Sequence, residues 1–256
     1  WLKHCENPEN PVKKIYLFAD EFTNYTESDI GIKTIQLLRK LGYAVIIPQH
    51  IESGRTYLSK GLVKKAKEIA NKNIVLLKHL ITENTPLIGI EPSAILTFRD
   101  EYLELVDKDI VADAKKIAAH TFLIDEFIAS EFEHGNITAA SFSDKEASIK
   151  LHGHCHQKSL ASTSSIVKML SLPVNYKVEE IKSGCCGMAG SFGYEKEHYE
   201  LSMQIGELVL FPAVRNAKQE ILISAPGTSC RQQIKDGTGR KVFHPVEILF
   251  EALMPC

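Results

Sequence analysis

The sequence predicts an α/β fold built as two tandem, pseudo-symmetric halves, each around a parallel sheet. Strand-like and helix-like segments alternate from end to end, and parallel neighbours need helical crossovers between them. Loops at strand ends also repeat at nearly constant separation. Asp20 pairs with Cys155, Ser53 with Cys186 and Ala94 with Cys230, at 135, 133 and 136 residues, and His120 roughly answers His244. Three matches at one offset point to an internal duplication.

In the first half, Lys14 to Phe18 reads as a strand, Ile30 to Leu41 as an amphipathic helix and Tyr43 to Ile47 as a second strand. A helical stretch from Leu58 to Leu80, a strand from Leu87 to Ile90 and helices over Ile95 to Val106 and His120 to Phe132 follow. The second half gives strand Ser148 to Leu151, helix Gln157 to Leu170, strand Val174 to Val178, helix Lys196 to Asn216 and strand Glu220 to Ser224. Helices starting near Cys230 and spanning Pro245 to Leu253 complete it. The polar stretch Glu133 to Glu146, with its Gly135-Asn136 turn signal, reads as the linker. The expected domains are residues 1–135 and 145–256, each Rossmann-like, with functional loops at the carboxyl ends of the strands.

The 256 residues are 44% apolar, enough for a substantial core, and 30 basic against 32 acidic residues leave a formal net charge of −2. The two signs are interspersed, which argues against a nucleic-acid partner. No apolar run approaches the roughly 20 residues that span a bilayer, so no transmembrane segment is expected. The start at Trp1-Leu2, without a methionine, suggests a segment of something longer. Six cysteines are too few for a disulfide scaffold, so a reducing, cytoplasmic location fits. Cys5 and Cys256, at the termini, carry no expected role.

The other four cysteines carry the chemistry. Cys155, in HGHCHQKS, follows a strand and precedes a helix, where the helix N-terminus favours a thiolate. Cys185 and Cys186 lie between Gly184 and Gly187 in SGCCGMAGSFG, a loop whose glycines let the backbone approach closely and take positive φ and make room for something bulky. Cys230 opens a helix after Ser229. Three loops of one sheet edge thus supply four soft ligands, a set that suits an iron–sulfur cluster or tetrahedral zinc. No short C-x-x-C knuckle is present, and adjacent cysteines sit awkwardly on one zinc, so spacing favours the cluster. A Cys155–Cys185 or vicinal disulfide, and plain buried thiols, are the competing readings.

His152, His154 and His156 alternate; on a continued strand the first two share one face, opposite Cys155. His154 or His156 could ligate, although hydrogen bonding to sulfur is the commoner role. His244, before Pro245, reads as a helix-start residue that orients a loop. Glu91, Arg99, Asp100 and Glu101, in GIEPSAILTFRDEY, read as capping and bridging residues.

On the segments GIEPSAILTFRDEY, HGHCHQKS, GCCGMAGSFGYE and PGTSCRQQI with HPVEIL, the chain resembles the cysteine-rich CCG-domain family typified by heterodisulfide reductase. It looks most like the C-terminal region of fused FAD-linked oxidases with iron–sulfur segments, of the glycolate, D-lactate or 2-hydroxyglutarate type. The resemblance covers nearly the whole chain. It implies two CCG repeats, a [4Fe–4S] cluster on Cys155, Cys185, Cys186 and Cys230, and electron transfer from FAD on a partner domain or subunit. A ferredoxin-like segment and a quinone or other acceptor are the further implied partners, with attachment to the inner membrane face only through them. Gly227 stands where the family's C-x-x-C has its first cysteine, which favours ordinary four-cysteine ligation. In the first repeat Asp20, Glu52, Ser53 and Ala94 replace cysteines, so no cluster is expected there. Asp20, His50, Glu52, Ser53, Arg55 and Glu91 are its cleft candidates for an acceptor or docking surface. The alternatives are a zinc-stabilised assembly module and a thiol–disulfide reductase.

Overall fold

A computed structural model describes residues 6–254, so Cys5 and Cys256 lie outside the described residues. Two compact units divide between Ile137 and Thr138, with Ser59–Gly61 counted in the second. Each contains one four-stranded sheet, and every pairing in both is parallel. The fold is therefore α/β with two Rossmann-like sheets in tandem.

The first unit runs β1 (Lys13–Phe18), α1 (Glu21–Tyr25), α2 (Ser28–Lys40), β2 (Tyr43–Ile46), α3 (Arg55–Ser59), α4 (Val63–Leu77), β3 (Leu87–Gly89), α5 (Pro92–Ile95), α6 (Glu101–Leu105), α7 (Val111–Ala119), β4 (Thr121–Leu123) and α8 (Ile124–Glu133). Its strand order is β2-β1-β3-β4. Central β1 buries Ile15, Tyr16, Leu17 and Phe18 in a row, the continuous apolar run of a strand covered on both faces. Helix α2 turns Ile30, Ile35, Leu37 and Leu38 inward, and α4 turns Ile69, Ile74 and Leu77 inward, at the spacing one helical face requires. Arg39 and Lys40 in the last turn of α2 complement its dipole.

The second unit runs β5 (Ala147–Leu151), α9 (Cys155–Leu160), α10 (Ser164–Leu170), β6 (Tyr176–Glu180), α11 (Tyr199–Leu208), α12 (Leu210–Arg215), β7 (Leu222–Ser224), α13 (Thr228–Thr238), β8 (Val242–Phe243) and α14 (Pro245–Glu251), in strand order β6-β5-β7-β8. The order matches the first unit strand for strand. Phe211 anchors its core, with Cβ positions at Gly206 and Gly237 falling 2.3 and 2.4 Å from its ring.

Several elements differ from the sequence reading. The stretch from His120 begins as strand β4 before becoming α8, and β8 follows α13; both are too short to show a period. The long helix expected from Leu58 is two, interrupted at Gly61, whose φ is 71°. Ile95 to Val106 contains a 3-10 turn at Leu96–Phe98, and α7 beyond it was unforeseen. Gln157 to Leu170 and Lys196 to Asn216 each divide into two helices, the second at Val209, and the strand expected from Val174 begins at Tyr176.

Gly206→Ala and Gly237→Ala set helix propensity against packing. Alanine gains about 1 kcal/mol in a helix, whereas an added methyl against the wholly buried Phe211 ring costs about 1–3 kcal/mol. Each variant is expected to lower the midpoint of denaturant unfolding, and a raised midpoint would contradict this packing.

Candidate metal centre

Strand register builds this site. Leu151 is level with Glu180 on one side and Ser224 on the other, so β6, β5 and β7 end together at their carboxyl edge. Cys155 is the first residue of α9 beyond β5, Cys185 and Cys186 follow β6, and Cys230 lies in the first turn of α13 beyond β7. The loops after β5 and β7 flank the point where chain order reverses, the usual place for function in such sheets. All four described cysteines are free thiols.

Their burial is graded. Cys230 and Cys186 are 1% and 3% exposed and belong to an apolar cluster with Met188, Phe211, Val214 and Ile234, while Cys185 is half-buried and Cys155 exposed. The sulfurs interact in sequence. Hydrogen bonding with Cys185 pushes the Cys155 thiol up, and the same contact, together with Cys186, holds Cys185 well below its usual range. Cys186 is pushed up by Cys185 and Cys230, and Cys230 is lowered by Cys186 first and also by a hydrogen bond with His152. Gly187 N donates to Cys185 Sγ at 3.3 Å, and further backbone N–H groups, of Ala189, Met188 and His156, favour charged sulfur at Cys185, Cys186 and Cys155. Four soft donors in line, supplied with N–H groups and partly shielded from water, suit a cation that replaces their protons.

The histidines divide by what their Nδ1 does. His154 caps α9, its Nδ1 accepting from His156 N at 3.2 Å, and His244 caps α14, its Nδ1 accepting from Val246 N at 3.1 Å. A nitrogen that accepts a backbone proton in this way is not carrying one, so each neutral ring is protonated at Nε2 and suits donation to sulfur better than ligation. His156 lies on α9, partly exposed, its ring 6.5 Å from that of His154. The strand does not continue through these residues as the alternation reading supposed, because β5 stops at Leu151. His152, which the sequence did not single out as a ligand candidate, is wholly buried, with a ring nitrogen, Cys186 Sγ and Cys230 Sγ all within 4.8 Å of one another. Its signal was proximity to Cys155 alone.

The glycines divide between open space and the expected close backbone approach with positive φ. Gly184 faces open space, whereas Gly187, at φ 104°, brings its backbone so close to α11 that a Cβ would lie 2.2 Å from Ser202 O. Gly193 likewise admits Ser202 Oγ. These two glycines fit the loop to a helix rather than clear a volume for a ligand. At Gly227 a Cβ would meet His154 Cδ2 at 2.4 Å, so the imidazole fills the space that a side chain at this position would need. Ser229 is partly exposed beside Cys230.

At the matching edge of the first unit, polar bonds replace thiols. Asp20 caps α1 through Oδ1, accepting from Phe22 N and Thr23 N at 2.9 and 3.0 Å, while Oδ2 accepts from Thr23 Oγ1 at 2.7 Å. As the cap it corresponds to His154, so the residue answering Cys155 is Glu21, one place beyond the sequence pairing. Glu21 accepts from Ser53 N and Oγ at 2.9 and 2.7 Å. Ala94 keeps its pairing, since it and Cys230 occupy the same position after caps Glu91 and Gly227. His120, before β4, does not correspond to His244, the cap after β8. His50 accepts from Ala19 N and hydrogen-bonds Ile51 O, and burial lowers its pKa. Glu91 accepts from Ser93 N and Oγ, Arg55 pairs with Glu101, and the Glu52 carbonyl accepts from Asn73 Nδ2.

No family model matches the chain. It is 27% identical over 248 residues to D-2-hydroxyglutarate dehydrogenase of Escherichia coli (strain K12), covering 96% of this chain but 23% of that protein. One subunit of the anaerobic glycerol-3-phosphate dehydrogenase of the same strain is 24% identical, over 94% of this chain and 59% of that one. Lactate utilization protein A of Bacillus subtilis (strain 168) is 27% identical, over 92% of this chain and 98% of that one. The chain thus spans under a quarter of the first relative, and two of these three are by name dehydrogenases or dehydrogenase subunits.

Two measurements check the geometry. In reduced protein without metal, a thiol alkylating agent is expected to modify half-buried Cys185 before Cys186 and Cys230, and Gly187→Ala to bring Cys186 into the fast group, as read by peptide mapping. Burial, followed by the charge of Glu91, pushes Asp20 up from 3.8 to about 7. An acid raised on folding adds nothing below its unfolded pKa and destabilises as pH climbs through the folded one. Stability is therefore expected to fall by up to about 4 kcal/mol between about pH 4 and pH 7 from this group. Asp20→Asn, which keeps a capping oxygen, should flatten that slope in denaturant unfolding across pH.

Proposed function

We propose that this chain is the iron–sulfur electron-transfer region of an FAD-linked oxidoreductase acting on a 2-hydroxy acid of the glycolate, lactate or 2-hydroxyglutarate class. Cys155, Cys185, Cys186 and Cys230 would hold one [4Fe–4S] cluster, which when bound supplies reversible one-electron chemistry. The observation that carries the reading is the convergence of these four thiols from three level strand ends, with the inner two in the apolar core. Gly227, with His154 packed over it, supports four-cysteine ligation rather than five.

The chain's own residues set the surroundings. The N–H groups of Gly187, Ala189, Met188 and His156 stabilise charge on sulfur, and Met188, Phe211 and Val214 keep water from the inner pair. Exposed Cys155 marks the side open to an exchange partner. The flavin belongs to a partner domain or subunit, a ferredoxin-like segment is a neighbour in the assembly, and a quinone or similar carrier receives the electrons. The first unit is a scaffold without a cluster, because Asp20, Glu21, Ser53 and Glu91 bond to one another's loops and caps. Its cleft residues His50, Glu52 and Arg55 stay candidates for docking the acceptor. Among the described residues no helix is long and apolar enough to cross a membrane.

Anaerobic purification is expected to yield iron and labile sulfide at about four each per chain and a visible chromophore that dithionite bleaches. Cys155→Ser should lose the chromophore and the coupled transfer from hydroxy acid to acceptor while the flavin half-reaction in the assembled enzyme continues. Unchanged coupled transfer would refute the relay. One equivalent of zinc without sulfide would favour the assembly module instead.

A further inference from the structure

Among the buried histidines of the second unit, His152 alone is arranged as a ligand rather than a cap. Its ring is fully buried, and Nδ1 lies 2.8 Å from Ser183 Oγ. The Ser183 hydroxyl has its own acceptor in Ile181 O at 3.4 Å, so Oγ is free to accept from Nδ1–H. That tautomer leaves the lone pair on buried Nε2, which has no nitrogen or oxygen partner, while His152 hydrogen-bonds the Cys230 sulfur. This is the orientation that metal-binding imidazoles receive from a neighbouring oxygen. Lys158 Nζ, bonded to Ser183 O at 2.8 Å, steadies the residue that does the orienting.

We propose that His152, Cys186 and Cys230 form a binding site for a single divalent cation of the zinc class. All three donors are buried and lie within 4.8 Å of one another. A tetrahedral ion with sulfur at about 2.3 Å and nitrogen at about 2.0–2.1 Å holds its donors about 3.5–3.8 Å apart, so small side-chain rotations close the site. Binding forms two metal–sulfur bonds and one metal–nitrogen bond and releases to solvent whatever protons the two sulfurs carry, that of Cys186 first, since Cys186 is the thiol pushed up and Cys230 the one lowered; no electron is exchanged. The site shares two thiols with the proposed cluster but does not rest on it, because a pocket that never receives iron and sulfide keeps the same three donors.

The test uses the full chain, reduced and metal-free, titrated anaerobically with Co2+ and then displaced by Zn2+. One equivalent of Co2+ is expected, with sulfur-to-cobalt charge-transfer bands and the strong visible bands of tetrahedral cobalt. His152→Gln should weaken binding at least ~10-fold, as loss of a ligand or its support does. Ser183→Ala, which removes only the orienting oxygen, should weaken it a few-fold, and His134→Gln on the surface of the first unit should leave it unchanged. X-ray absorption of the wild-type Zn2+ form should show one imidazole beside sulfur. A sulfur-only shell, no binding, or a His152→Gln affinity equal to wild type overturns the proposal. Should His152→Gln not fold, the wild-type absorption spectrum decides alone. Iron and sulfide content do not enter these readings, so the cluster can fail while this site stands, or the reverse.

Discussion

The level ending of β6, β5 and β7 governs the second unit. Parallel pairing puts Leu151, Glu180 and Ser224 side by side, so each chain leaves the sheet at the same height and turns toward the same space. Sulfurs distant in sequence then meet without any long excursion. A register slip of one residue would turn alternate side chains to the other face of the sheet and displace the loop that follows. The apolar packing of Ile149, Leu151, Ile166 and Leu170 against the sheet resists that slip.

The loop of Cys185 and Cys186 is fitted to this edge by backbone rather than by side chains. Ala189 takes φ 41°, with Gly187 and Gly190 also in the left-handed region, a costly conformation for alanine. It turns successive N–H groups toward sulfur, and Ser202, held by Gln233 Nε2 at 2.8 Å, closes the loop from behind. Strain, burial and thiols therefore coincide in one short segment, while the corresponding loop of the first unit reaches Gly54 and settles through Ser53 and Glu21.

The two units show how one frame accepts opposite chemistry. In the first, carboxylates and hydroxyls at the strand ends satisfy helix N-termini and each other, at the expense of burying Asp20 near Glu91. In the second, histidines cap α9 and α14, and Cys155 directly follows the cap of α9. Caps are local and each serves its own helix; sulfurs one step further on can reach across loops. Glu21, Ser53 and Ala94, standing where the second unit has sulfurs, make the difference between a closed polar edge and one lined by thiols.

Alternation of strands and helices, the internal duplication and the three thiol-bearing loops were legible in the sequence, because period and residue type act locally. Strands β4 and β8 were not, since two or three residues carry no period and only pairing with β3 or β7 makes them strands. The equivalence of Glu21 with Cys155 was hidden too, as cap positions become visible only from backbone hydrogen bonds. His152 illustrates the limit best: the sequence offered His154 or His156 as the possible ligands and passed over His152, yet what distinguishes His152 from His154 is the partner of each Nδ1. Side-chain type determined which atoms have the chemistry to bind a metal, and tertiary contacts, which aim and protonate those atoms, decided which of them lie together.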